Sequence, residues 1–389
     1  MKETFSEESN GVFHYIDNTV TGLFTDEEIA ERNQIEIDRN AEALKEILAD
    51  GFIEVPIFFR DNEWNRVEKK AWVHPDYTPS CSVGYQEKYG ISYNIYVPSY
   101  KRPNGTKTIE TLKTHGITNY YLAIDPDQYS EYKKYHDPSK LIIRDISFRA
   151  DDMIDLASSV KSPNSMHGHS GIVNFLFAFS KSMGESHFWT MDDDIVNMAM
   201  KAYNGTTAAP PNVPYDKENY YRCSNILPKY GFSFSKFLRS MEEMAEHSRN
   251  PGFIGLEKFG LVFQLPVMWK LGTRVYTFYL TDNLRQCKHW GQHNNDVITS
   301  LELSKRGMVN MLFEGICYNS EPTQSGGGGQ VEVYQTFGTF DKGKVLVRAQ
   351  PNYAKIAINY NRIHHSVNYT TYNQQRLVGA PVVQERYIE

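Results

Sequence analysis

Cysteine is scarce in this chain. Cys81, Cys223, Cys287 and Cys317 are widely spaced and form no C-x-x-C pair. That speaks against a disulfide scaffold or a zinc ribbon and makes reduced thiols in a cytoplasm the expectation. Long apolar runs are also missing. The longest, Ile172 to Phe179, is interrupted by Asn174 and is far too short to span a bilayer. The opening Met1 to Asn10 is polar and acidic, not basic and then apolar, so no secretory leader and no membrane partner are expected. No excess of positive charge exists either. Against 47 acidic residues stand 41 Lys and Arg, a net of −6, which argues against strong general affinity for nucleic acid.

What the chain does have is aromatic residues, 13% of the total with 26 Tyr and 21 Phe, in an otherwise ordinary globular composition. A disordered chain, a collagen and a coiled coil are excluded. At roughly 100–200 residues per domain, 389 residues suggest two or three domains, or one large α/β domain with additions. The charge is unevenly spread. Residues 1–50 hold 13 acids and 4 bases, which leaves 34 acids and 37 bases in the rest. A mildly basic body thus follows an acidic N-terminal segment, which permits an anionic ligand.

The pattern along the chain predicts loop or tail over 1–24, then a helix from the capping box at Thr25–Glu28 to about Asp50. Short strand-like pieces follow at 53–59 and 70–73. We read 1–90 as an N-terminal extension or small accessory domain. At Tyr93 the pattern becomes β-α-β-α-β: strand 93–97, helix 106–114, strand 119–124, a helical segment near 128–136 and strand 140–144. That order predicts a mostly parallel sheet covered by helices. A helix over 171–183 leads into strand 187–191. Residues 203–232 read as a long loop, 233–247 as helix, 253–281 as strand-rich, 296–306 as helix, and 331–372 as short strands and loops.

Several residues at strand ends are suited to chemistry. Asp192-Asp193-Asp194 closes an apolar strand, where ligands bind in open α/β sheets. Adjacent carboxylates repel, and a divalent cation is the usual compensation. Alternate residues of an extended chain point the same way, so Asp192 and Asp194 can face one ligand while Asp193 faces elsewhere. A D-x-D pair holding Mn²⁺ or Mg²⁺ against a diphosphate fits this; a solvated acidic turn is the plainer reading. In the turn after Val97, Pro98, Ser99, Tyr100 and Arg102 can meet a nucleotide, through backbone N–H groups, a stacking ring and a phosphate-neutralising guanidinium. An ordinary βα turn is the alternative. Asp125, after the next strand, can accept from a base N–H or a ribose hydroxyl, or can simply cap a helix. Asp296 opens a helix and can be a general base or an N-terminal cap. His364 or His365 can complete a metal shell begun by Asp194, or be no more than polar residues in a Tyr-rich segment.

These stretches occur together in an order that resembles the TET/JBP-associated glycosyltransferases, a GT-A-like group found largely in phages and linked to modified DNA bases. The resemblance runs from about Ser92 to about Tyr369. It rests on Val97–Pro103, Phe188–Ile195, Val275–Asn283, Trp290–Gly307, the Gly326–Gly329 run and Arg362–Tyr369. Two departures stand out: Asn295-Asp296 replaces the usual Glu-Asp, and Ile172-Val173-Asn174 replaces the usual Ala-Arg-Asn.

The resemblance implies a GT-A-like α/β domain over 91–372 with a tail at 373–389. It implies a nucleotide-sugar donor, UDP-glucose or UDP-GlcNAc in type. That donor would be held by Pro98, Ser99, Tyr100, Arg102, Asp125, Asp192 and Asp193. The metal set would be Asp192, Asp194, His364 and His365, and Asp296 the base of an inverting transfer. The implied acceptor is DNA carrying hydroxymethyl pyrimidines, in a host cytoplasm if the gene is a phage's. A nucleotidyltransferase, a transferase acting on protein or polysaccharide, and a non-catalytic binding protein are the alternatives.

Overall fold

Four short apolar segments form the centre of a twelve-stranded sheet in a computed structural model of the chain. The structure describes residues 6–7, 12–14, 26–60, 65–146, 169–201, 220–262, 269–283, 294–321, 343, 345–347, 349–359 and 362–369. Of the expected loop over 203–232, residues 203–219 lie outside the described residues, as do the Gly326–Gly329 run and the tail at 373–389. The end of that loop is instead strand Tyr220–Arg222 and short helical turns over 223–230.

The central strands are His187–Met191, Ile95–Pro98, Tyr120–Ile124 and Leu141–Arg144, side by side in that order and all parallel. The expectation that strands ending at Val97, Ile124 and Met191 lie together in one sheet is met. Nearly every residue in the four is buried. Continuous burial is what a parallel sheet covered on both faces requires. Alternation then sorts the side chains. Ile95, Val97, Leu122 and Ile124 pack on one face with Ile109, Leu112, Phe234 and Leu238. Those last four come from helices Lys107–Thr114 and Phe234–His247. Tyr96, Tyr121 and Ala123 pack on the other face with Phe175 and Phe179 of helix His169–Ser182. That helix is buried without a break from Ser170 to Ser180, which fits its apolar sequence.

Further strands extend the sheet on both sides, paired antiparallel except for Pro251–Lys258 with Val309–Ser320, which run parallel. The hairpin Ile53–Arg60 with Arg66–Val73 joins Leu141–Arg144. Part of the expected N-terminal extension is therefore continuous with the main sheet. Helix Asp26–Ala49 is tied to the turn after Ile124, where Arg39 contacts Asp127 at 2.6 Å and Asn40 accepts from the Asp127 N–H at 3.0 Å. On the other side come Phe278–Asp282, Pro251–Lys258, Val309–Ser320, Ile195–Lys201 and Tyr220–Arg222, and Trp269–Leu271 pairs with Val309–Ser320. A smaller sheet joins Ser6–Glu7, Val12–His14, Ala354–Asn359 and Arg362–Val367. Near it, Val345, Leu346 and Ala354 pack on Val297, Ile298 and Leu301 of helix Asn295–Lys305, with Val367 and Tyr369 against the same cluster.

Five strands were not foreseen: Ser6–Glu7 and Val12–His14 within the expected tail, Tyr220–Arg222 within the expected loop, and Val309–Ser320 and Ile195–Lys201. Val309–Ser320 hides its period because Asn310 and Glu314 are buried within it and Gly315 interrupts it. Ile195–Lys201 begins directly after the acidic triplet, where only a turn was expected. No described helix is long and apolar enough to cross a membrane.

Candidate active site

The turns after Pro98, Ile124 and Met191 leave the same end of the parallel strands. The acidic turn is fixed first by its backbone. The Thr108 hydroxyl donates to the Asp192 carbonyl and accepts from the Ile195 N–H at 2.9 Å. The Thr108 N–H donates to the Asp193 carbonyl at 3.3 Å, and Thr111 Oγ1 donates to the Ile195 carbonyl at 2.9 Å. The first turns of helix Lys107–Thr114 thus clamp the chain on either side of Asp193 and Asp194.

The three carboxylates then separate. Asp193 turns inward. It accepts from Ser99 Oγ at 2.6 Å and from Arg102 at 2.8 Å. Tyr132 completes the group through Ser99 Oγ at 2.6 Å and by accepting the Arg102 N–H at 3.1 Å. Burial pushes the Asp193 carboxyl up, against the pull of Arg102 and Ser99. Arg102 and Ser99, expected at the nucleotide, have these polar atoms on Asp193. Asp194 is half-buried. Burial and the charges of Asp192 and Asp193 push its carboxyl up to about 7, with Arg102 and Lys258 opposing. Its carbonyl accepts from the Glu321 N–H at 3.1 Å.

Asp192 meets a residue that the sequence did not single out. His169 Nε2 lies 3.2 Å from Asp192 Oδ1, and Asn295 Nδ2 lies 2.9 Å from His169 Nδ1. Burial alone would lower the His169 imidazole, but the bond to Asp192 and the charges of Asp192, Asp296 and Asp193 raise it above its ordinary value. No local motif marks His169, because its partners lie 23 and 126 residues away in the chain.

Asp296 sits in the first turn of helix Asn295–Lys305, accepting from the Val297 N–H at 2.8 Å. Asn294 precedes the helix in the left-handed region, φ 55°. The Asp296 charge acts on His169, Tyr276, Tyr279, Tyr318 and Tyr369. Asp192 acts on Tyr279 and Tyr318 as well. In each of these phenols burial is the larger cause of a raised pKa.

The other expected residues are placed as follows. Pro98 is the buried last residue of its strand. Tyr100 is half-buried, with Lys101 Nζ 5.1 Å from its ring centre. Lys101 itself is left-handed, φ 55°, with its N–H donating to Gln128 Oε1 at 3.2 Å. An L residue there costs about 1–2 kcal/mol, so the surrounding bonds hold the turn in shape. Asp125 is buried and accepts from Arg144 Nε at 2.7 Å. His364 and His365 lie half-buried on strand Arg362–Val367, opposite Ala357 and Ile356. Among the described residues, no three or more His, Cys, Asp or Glu side chains gather as a metal-holding group.

Comparison with known proteins gives one match. The family model for TET-associated glycosyltransferase matches residues 93–329. No curated protein and no solved structure matches the chain. The matched stretch covers more than half of the chain and includes the acidic turn, His169 and Asp296. The chain therefore belongs to the TET-associated glycosyltransferase family and is an enzyme of the glycosyltransferase kind.

Proposed function

We propose that this chain moves a sugar from a nucleoside-diphosphate sugar, UDP-linked in type, to a hydroxyl acceptor. In this reading the parallel centre and its acidic turn are the nucleotide-binding half of a GT-A-like domain. The carrying observation is that His169 meets Asp192 Oδ1 at 3.2 Å through Nε2 and the side chain of Asn295, the neighbour of Asp296, at 2.9 Å through Nδ1. A donor-side carboxylate and a candidate base in one site are what direct displacement at an anomeric carbon needs.

The carboxylate oxygens of the acidic turn are of the kind that a hard divalent cation, Mn²⁺ or Mg²⁺, takes, although the described residues do not gather three such ligands. Asp194 is pushed up by burial beside two other carboxylates. Oxygen donors crowded in this way favour such an ion. Asp192 and Asp194 would hold it, with His364 or His365 the candidate third donor from the strand beside the Asp296 helix. When bound, it offsets the charge of the departing diphosphate.

The chain's own residues do the rest. Asp193, tied to Ser99 and Arg102, keeps the turn rigid while its neighbours point to the donor. Pro98 and Tyr100 line the approach of the nucleotide, and Asp125 with Arg144 braces the turn beneath it. The acceptor oxygen attacks the anomeric carbon, the bond to the diphosphate oxygen breaks with its electron pair, and the acceptor proton passes to Asp296. Attack from the face opposite the diphosphate inverts the configuration.

Family membership favours a hydroxymethyl pyrimidine in DNA as acceptor, in the cytoplasm of a phage's host. The test is incubation with a panel of nucleotide-sugars, Mn²⁺ and DNA containing hydroxymethyl pyrimidines, followed by digestion and weighing of the nucleosides. A nucleoside heavier by one sugar, with release of nucleoside diphosphate, is expected. Release of pyrophosphate would indicate a nucleotidyltransferase, and unmodified nucleosides would rule out this acceptor.

A further inference from the structure

His169 bridges two walls of the site that are remote in sequence. Its Nε2 faces Asp192 Oδ1 at 3.2 Å and its Nδ1 faces Asn295 Nδ2 at 2.9 Å. A carboxylate only accepts, so Nε2 carries a proton and donates to Asp192. In the neutral ring Nδ1 is then an acceptor, and the Asn295 amide donates to it. If the ring gains a second proton, the Asn295 amide can turn and accept with its oxygen. The bridge therefore persists in either protonation state.

Both ends of the bridge are anchored. His169 opens helix His169–Ser182, which is buried from Ser170 to Ser180. Asn295 is 5% exposed and opens the helix whose next residue is Asp296. Asp192 is fixed through its own carbonyl by Thr108. The imidazole is the rigid spacer between them.

We infer that His169 is a positioning residue: it orients the Asp192 carboxylate and sets its separation from the Asp296 helix. The inference rests on the transfer reading above. A gap that must hold one hydroxyl oxygen tolerates little error, since a misplacement of about 1 Å can cost on the order of 10²-fold in rate.

The test compares His169→Leu, His169→Gln, Asn295→Leu and the Leu double variant. His169→Leu is expected to lower kcat by about 10²-fold with a smaller change in the donor KM. Gln can donate to Asp192 from its amide and accept from Asn295 with its oxygen, so it should recover much of the rate. The two Leu variants should be non-additive, because each breaks the same bridge. A readout independent of turnover is the imidazole ¹⁵N spectrum of the ligand-free protein. It should show proton occupancy at Nε2 in the wild type and a changed Nδ1 signal in Asn295→Leu.

Near wild-type kcat in His169→Leu, in a protein that Asp296→Asn inactivates, would overturn the positioning role. Additive Leu variants, or a folded Gln variant no better than Leu, would also overturn it. A wild type that transfers no sugar from any donor would bring down the transfer reading and the role together, while the bridge itself would still be decided by the spectrum.

Discussion

Arg102 donates to Asp193 across 2.8 Å, joining the turn after Pro98 to the turn after Met191. Both groups are mostly withdrawn from water, at 19% and 11% side-chain exposure. Of three adjacent carboxylates, the middle one is therefore the support and the outer two are left to the site. Ser99 takes the other Asp193 oxygen, so neither oxygen is wasted.

Removing one partner of a withdrawn pair leaves the other charge without compensation. Arg102→Ala is expected to destabilise the fold by about 3 kcal/mol, at the lower end of the range for breaking a buried pair. Asp193→Asn should cost less, because an amide oxygen still accepts from Ser99 or Arg102. Urea unfolding of the two variants checks the order. A destabilisation by Arg102→Ala within error of zero would return Arg102 to a role at the ligand alone.

The parallel centre was legible because its strands are short, apolar and bounded by turn residues. Alternation along an extended chain suggests that Asp193 faces away from its neighbours, but Asp193 and Asp194 lie in a turn, and it is Ser99 and Arg102 that hold Asp193 inward. Val309–Ser320 was not legible, because buried Asn310 and Glu314 disguise its pattern. Asn310 is there because it ties its strand to the neighbouring strand and helix: its side chain accepts from the Phe253 N–H at 3.0 Å and donates to the Ser300 carbonyl at 2.7 Å. Asp125 was legible as an acid at a strand end, but not its partner Arg144, supplied by the next strand. His169 was invisible for the same reason in stronger form.

Glu185 offers a stability prediction away from the site. It is buried and accepts from the Ser80 N–H at 2.7 Å, Asn94 Nδ2 at 2.7 Å, Ser180 Oγ at 2.7 Å and the Tyr96 hydroxyl at 2.5 Å. Glu185→Ala removes the common acceptor and strands its donors. The expected cost is on the order of 3–5 kcal/mol, the scale for opening a buried polar network. Glu185→Gln, which keeps one acceptor oxygen, should cost less. Denaturant midpoints decide, and equal midpoints for wild type and Ala would refute the network's role.

Glu242 supplies a pH dependence. It accepts from Trp189 Nε1 at 2.9 Å and from the Ser92 N–H at 2.7 Å. Burial raises its carboxyl from 4.5 to about 7, against those bonds and Arg239. The folded state thus holds this proton more tightly than the unfolded state. Its contribution to stability is full below pH 4.5 and is lost as pH rises through about 7. Glu242→Gln cannot titrate. The melting temperature of the wild type relative to Glu242→Gln should therefore fall between pH 4.5 and 7. A constant difference across that window would show that the carboxyl is not perturbed.

Asp296→Asn is the sharpest test of the proposed chemistry. The substitution keeps the size of the side chain, and the amide oxygen can still accept from the Val297 N–H. Helix Asn295–Lys305 should survive, since Val297, Ile298 and Leu301 anchor it in its own apolar cluster. Donor binding should be near normal, because the donor is assigned to the acidic turn and not to this helix. What is lost is a group that can take the acceptor's proton. Transfer should fall by at least about 10²-fold, the usual scale for a missing acid–base group. The measurement is single-turnover transfer alongside donor affinity by calorimetry. Slow transfer with intact donor affinity is the expected pair of results. Transfer at the wild-type rate would reduce Asp296 to a helix-terminal carboxylate and place the base elsewhere.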